Sequence, residues 1–103
     1  MAAFVDDAEG SAHLAEILKA LANPGRLRIV AALCQGSENV GGLAGRLGLD
    51  PAIVSQQLRI LRMSGLVEAS RSGGFADYRL AEPRLKELVA CLEKCPRRPI
   101  RRV

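Results

Sequence analysis

The chain has 103 residues, 49% of them apolar but only 3% aromatic, and carries a formal charge of +4 with a pI near 9.4. That composition describes one domain with an Ala- and Leu-rich helical core, short enough that a second subunit would help to stabilise it. No run of about 18 apolar residues occurs, and the first residues are acidic where a signal peptide is basic and then apolar, so the expectation is a soluble, cytoplasmic protein with no membrane partner.

Charge is placed unevenly. Asp6, Asp7, Glu9 and Glu16 come before any cation, whereas the run Pro-Arg-Arg-Pro-Ile-Arg-Arg at 96–102 has no acid. Residues 1–10 read as an acidic N-terminal tail, 11–95 as the folded domain and 96–103 as an Arg-rich C-terminal tail. Prolines keep that last tail out of regular structure, and it serves either as a solubilising end or as a reach toward anionic partners.

The spacing predicts five helices and one hairpin. Leu14, Ile17, Leu18 and Leu21 form the stripe of a first helix, with Ser11 as its N-cap and Asn23, Pro24 and Gly25 as its break. A second helix from Arg26 is apolar on two sides, with Leu27, Val30 and Cys34 on one and Ile29 and Leu33 on another, which suits a central, largely covered element. Gly36 ends it. A short, glycine-weakened helix follows over 40–49. After a tight turn at Gly48 to Asp50, a fourth helix starts with Asp50 as cap and Pro51 at its first position. Beyond Gly65 the period drops to two: residues 66–71 and 75–80 read as strands around a Gly-rich turn, with Val67, Ala69, Ala76, Tyr78 and Leu80 on one side. Pro83 opens a last helix striped by Leu85, Leu88, Val89 and Leu92, with Lys94 near its end.

The fourth helix carries the functional signal. Val54, Leu58 and Leu61 face a core, while the other face shows Ser55, Gln56, Arg59 and Arg62, with no carboxylate between Asp50 and Glu68. A helix that enters the major groove needs donors and acceptors for base edges, and a carboxylate there is repelled by phosphates. Two helices joined by a tight turn, the second acid-free and followed by a hairpin, make a winged helix-turn-helix: mainly α, with a small β wing. Arg71, beside the wing turn, is placed to touch backbone phosphate.

The runs "LKALANPGRLRIVAAL", "VSQQLRILRMSGLV" and "DYRL" together resemble the ArsR/SmtB family of bacterial winged-helix repressors, over residues 12–95. The resemblance implies a homodimer joined through the first and last helices, bound to a palindromic double-stranded operator and released by an inducer. It implies DNA contacts from Ser55, Gln56, Gln57 and Arg59. Where relatives often have Ser-Gln-Pro at the start of this helix, the chain has Asp50, Pro51 and Ala52, so the usual Gln contact is absent there. The family's cysteine-rich metal box falls on residues 38–43, here "ENVGGL", and holds no thiol. At the family's second metal site, on the last helix, the chain offers Glu82, Arg84 and Cys95, and its single His is His13. Zinc therefore finds no ligand set, and no cofactor is required.

Three thiols remain: Cys34, Cys91 and Cys95. Cys91 and Cys95, four apart on a helix, have Cβ atoms about 5 to 6 Å apart, too far for an unstrained disulfide, which wants about 3.5 to 4.5 Å. Arsenite, a soft metal ion or a sulfur chain spans that gap, and Cys34 is the candidate third thiol. Two readings stay open: the thiols sense a thiol-directed inducer, or they pack as small apolar side chains while repression is constitutive or otherwise triggered. Enzymatic function has little support, because there is no phosphate loop, the lone His has no partner, and thiol oxidoreductases use a closer Cys pair. A dimeric adaptor without a DNA ligand is the third class, separable by a binding assay on promoter DNA.

Overall fold

In the computed structural model, residues 4–97 are described. A single turn of 3-10 helix at Phe4–Asp6 leads into α1 (Ala8–Leu21), then α2 (Pro24–Leu33), α3 (Val40–Leu47), α4 (Pro51–Met63), β1 (Val67–Ser72), β2 (Phe75–Leu80) and α5 (Leu85–Glu93). The expected five helices and hairpin are all present. No helix among the described residues is long and apolar enough to cross a membrane.

Short polar side chains set most of the helix starts. Asn23, Asn39 and Asp50 accept from the backbone N–H groups of Arg26, Gly42 and Ala52 at 3.1, 2.7 and 2.8 Å, satisfying donors that a first turn leaves open. The start of α1 corrects the sequence reading. Its cap is Asp7, whose carboxylate accepts from Gly10 N–H at 2.8 Å, and not Ser11. Ser11 lies within the helix and its hydroxyl donates to the Phe4 carbonyl at 2.8 Å. Ala8, Glu9 and Gly10 of the expected acidic tail are thus helical. Two good caps competed, and Gly10 favours the earlier one: any side chain there would collide with the Asp7 carboxylate.

The core is built where the helices converge. Ile29 and Val30 of α2, Leu43 of α3 and Val54, Leu58 and Leu61 of α4 are fully buried, and Leu66, Val67, Leu85 and Val89 close the cluster. Each such side chain contributes about 1.5 to 3 kcal/mol through burial. As expected, α2 is central, packing on α1, α3, α4 and β2. Leu27 departs from its predicted stripe and is exposed, as is Leu18 of α1.

The hairpin pairs Val67 with Leu80, Ala69 with Tyr78 and Arg71 with Ala76, so the apolar alternation falls on one side as predicted. Its two-residue turn, Gly73 and Gly74, has φ of 60° and 85°, the backbone that brings twisted strands back on themselves. A backbone bridge ties the wing to the body: Glu38 N–H donates to Tyr78 carbonyl at 3.0 Å, and Tyr78 N–H to Glu38 carbonyl at 2.8 Å.

Candidate nucleic-acid interface

The turn between α3 and α4 orients the candidate reading helix. Gly48 takes a left-handed φ of 66°, and Leu49 N–H returns to the Ala44 carbonyl at 3.1 Å, closing α3 before Asp50 caps α4. With Val54, Leu58 and Leu61 facing the core, 3.6 residues per turn carries Gln56 to the far side and leaves Gln57 beside the buried stripe. Ser55, Gln56, Arg59 and Arg62 are exposed, whereas Gln57 is half-buried.

The cations divide into free and committed groups. Arg59, Arg62 and Arg71 form no ion pair with a carboxylate among the described residues, whose three pairs are Lys19 with Glu16, Arg79 with Glu68 and Arg84 with Glu82. Arg79 is held across the wing by Glu68 at 2.9 Å and by the Ser70 hydroxyl at 3.1 Å. Arg71 instead lines an open cleft with Phe75 of the wing and Val40 and Gly41 at the start of α3. The Glu38–Gly42 stretch, where the resemblance would place a metal box, is occupied with capping: Glu38 Oε1 accepts from Asn39 N–H at 2.9 Å.

Two features escaped the sequence reading. Ile53, at the start of α4, is exposed and adds an apolar contact surface near Gln56. Arg26 of α2 donates from Nη1 to Gln57 Oε1 at 2.9 Å, across 31 residues of chain. No local pattern signals such a contact, since Gln57 reads as a candidate DNA contact and Arg26 only as the start of the second helix, with nothing in the sequence to join them.

The thiols fall into two environments. Cys34 caps the C-terminus of α2, half-buried against the core. Burial pushes its thiol above the ordinary value of 9.0, a push that Lys86 opposes and Glu93 reinforces. Cys91 and Cys95 are exposed. Because α5 ends at Glu93, Cys95 lies just beyond the regular helix, and its Sγ sits 3.8 Å from the Cys91 carbonyl. Cys95 borders a groove with Leu27 and Ala31 of α2 and Leu92 of α5. No three His, Cys, Asp or Glu side chains come together as a metal-holding group among the described residues, so Cys34 does not join the other two within one chain. Glu82 is committed to Arg84 at 2.7 Å, which holds its carboxyl below the usual range, and His13 is exposed on α1.

Residues 23–69, from the cap of α2 to the first residues of the wing, match the family described as bacterial regulatory protein, arsR family. The biofilm growth-associated repressor of Xylella fastidiosa is 40% identical over 88 residues, covering 84% of this chain and 77% of that one. The crystal structure of the transcriptional repressor BigR from Xylella fastidiosa superposes with a TM-score of 0.82 at 35% identity, covering 93% of this chain and all of that one. A solution structure of a homodimeric winged helix-turn-helix DNA-binding domain from Mycobacterium bovis gives 0.76 at 36% identity, covering 90% of this chain and 87% of that one. With the fold and these likenesses in agreement, the chain belongs to the ArsR family of bacterial winged helix-turn-helix transcriptional regulators.

Proposed function

We propose that the chain is a homodimeric, sequence-specific repressor that binds double-stranded operator DNA in the cytoplasm and is released by a thiol-directed inducer. The observation that carries the DNA reading is the exposed face of α4, free of acids, with Arg59, Arg62 and the wing's Arg71 unpaired by carboxylates among the described residues. Ser55 and Gln56 have donors and acceptors for base edges, Gln57 offers its remaining amide group, and the three Arg neutralise phosphates. Support for a dimer comes from Leu18 and Leu92, exposed on the first and last helices.

For the switch, the exposed pair Cys91 and Cys95 is the best-placed site. Arsenite bound there exchanges two of its hydroxyls for sulfur, each thiol giving its proton to the hydroxyl it displaces, which leaves as water. Such a bridge shifts the DNA equilibrium only through a higher affinity for the DNA-free state. The half-burial of Cys34 favours a packing role for that thiol, with participation in a sulfur bridge as the competing assignment.

The test is selection of binding sites from randomised duplexes, followed by titration of the reduced protein on the selected operator with arsenite, cadmium and persulfide. Log affinity is expected to fall linearly with log salt by about 0.9 per phosphate neutralised, and Arg71→Ala to flatten the slope by about one for each phosphate that this arginine neutralises. Gln56→Ala should relax operator choice more than it weakens binding to random DNA. Cys91→Ser and Cys95→Ser should bind the operator normally and resist release. Affinity indifferent to salt rules out the DNA reading; normal release from Cys34→Ser, Cys91→Ser and Cys95→Ser alike rules out the thiol switch.

A further inference from the structure

A cation in the first turn of a helix sits at the unfavourable end of the helix dipole. Arg26 is placed there, and no acid shares that turn of α2. Its interactions explain the placement, because both are made outside α2. Nε donates to the carbonyl of Ala20 in the last turn of α1, where open carbonyls and the negative end of that helix favour a cation. Nη1 donates to Gln57 Oε1 on α4 at 2.9 Å. One part-buried guanidinium therefore fastens the end of the first helix to the helix that carries the candidate DNA contacts.

A guanidinium has donors and no acceptor, so this contact decides which end of the Gln57 amide turns inward: the oxygen. The oxygen keeps a second lone pair, but turned inward it no longer stands beside the NH2 group toward a ligand, and the NH2 group is the end that Gln57 presents. A glutamine that reads adenine in the major groove uses both ends, accepting from N6 and donating to N7, whereas acceptor edges such as guanine N7 and O6 or thymine O4 need only donors. Gln56, the next residue, is exposed, and no side-chain hydrogen bond engages it among the described residues. Both of its ends are free.

We propose that Arg26 is a positioning residue that sets sequence specificity without contacting DNA: by holding the Gln57 oxygen it makes Gln57 a donor-only reader, so that the adjacent glutamines Gln56 and Gln57 select different base edges. This rests on the reading of α4 as the DNA-contacting helix. The guanidinium fork matters here, since one arm serves α1 and the other α4, a geometry that a lysine ammonium does not reproduce.

The test runs site selection and salt titration in parallel on the wild-type chain, Arg26→Met, Gln57→Ala and the double variant. Arg26→Met removes the donors and keeps an unbranched stem. It is expected to change the base preferred at one position of each half-site, with the operator-to-random affinity ratio falling on the order of tenfold per half-site. Its salt slope should equal that of wild type, because every phosphate keeps its partner. In the Gln57→Ala background, Arg26→Met should have no further effect on base preference. Arg26→Lys retains a charge for the Ala20 carbonyl without a second arm for Gln57, and carries the same expectation where the methionine variant does not fold. A salt slope reduced by about one per subunit would place Arg26 on a phosphate and overturn the proposal. Unchanged base preference in the Arg26 variants, or an equal change when Gln57 is already Ala, overturns it as well. A wild-type chain that selects no sequence overturns the reading of α4 and this proposal with it; a selective wild type with indifferent Arg26 variants overturns this proposal alone.

Discussion

Cys34 and Cys91 differ in environment more than their shared chemistry suggests. The thiolate of Cys34 is disfavoured because half-burial removes water from it, and Lys86 offsets that only in part. Alkylation proceeds through the thiolate, so a raised thiol reacts slowly and burial slows it further. Iodoacetamide at about pH 8 should therefore label Cys91 and Cys95 before Cys34 in the native protein, while denaturation should remove the delay. Because its thiolate forms only above the ordinary thiol value of 9.0, labelling of Cys34 should go on accelerating as the pH is raised past that value. A time course by mass spectrometry checks this, and early labelling of Cys34 would contradict the assignment. The sequence stripe through Leu27, Val30 and Cys34 already suggested packing for this thiol; Leu27 then proved exposed, because a stripe does not reveal how far a neighbouring helix extends over it.

Among the elements, the α3 to α4 turn holds the reading helix at its angle, and Gly48 is the residue that permits it. Nothing lies within 4 Å of where its Cβ would be, so a substitution there meets no steric clash and feels only the left-handed φ of 66°. Gly48→Ala should cost about 1 to 2 kcal/mol, and Gly48→Asn less, since a short polar side chain tolerates that conformation. For a domain of this size the alanine change corresponds to a melting temperature lower by roughly 4 to 8 °C per kcal/mol, measured at fixed protein concentration. Equal stability in the alanine variant would mean the turn relaxes to another backbone. The sidedness of the hairpin was legible, because alternation keeps Val67, Ala69, Tyr78 and Leu80 together, but its turn was read over residues 72–74, whereas Ser72 pairs with Phe75 and the turn is Gly73 and Gly74 alone. The start of α1 was less so: Asp7 and Ser11 are both competent caps, and only the fit of Gly10 against the Asp7 carboxylate separates them.

For the whole molecule, the leucines of α5 have separate duties. Leu85 is buried within the chain, Leu88 is half-buried and Leu92 is exposed, so the stripe that reads as one surface serves the chain's own core at one end and is open at the other. Under the proposed dimer, Leu92→Asp should give a folded monomer by light scattering and weaken operator binding, since the charge meets no partner once the interface closes. Leu85→Asp should unfold the domain instead. A DNA-competent dimer from Leu92→Asp would place the subunit contact elsewhere.

Sequence alone determined the elements, the two-sided α2, the acid-free face of α4 and the wing, because each is written in spacings of a few residues and depends on the chain's local geometry. It also carried the family resemblance through "VSQQLRILRMSGLV" and "DYRL". Tertiary structure decided which side of each apolar stripe the chain covers for itself, separating Leu85 from Leu92 and Leu27 from Val30. It ended α5 at Glu93 and, among the described residues, formed no three-ligand group that would join Cys34 to Cys91 and Cys95 as a third thiol. And it brought Arg26 to Gln57, since the partners of a polar side chain 31 residues away are set by how helices pack, and packing distance has no signature in the intervening sequence.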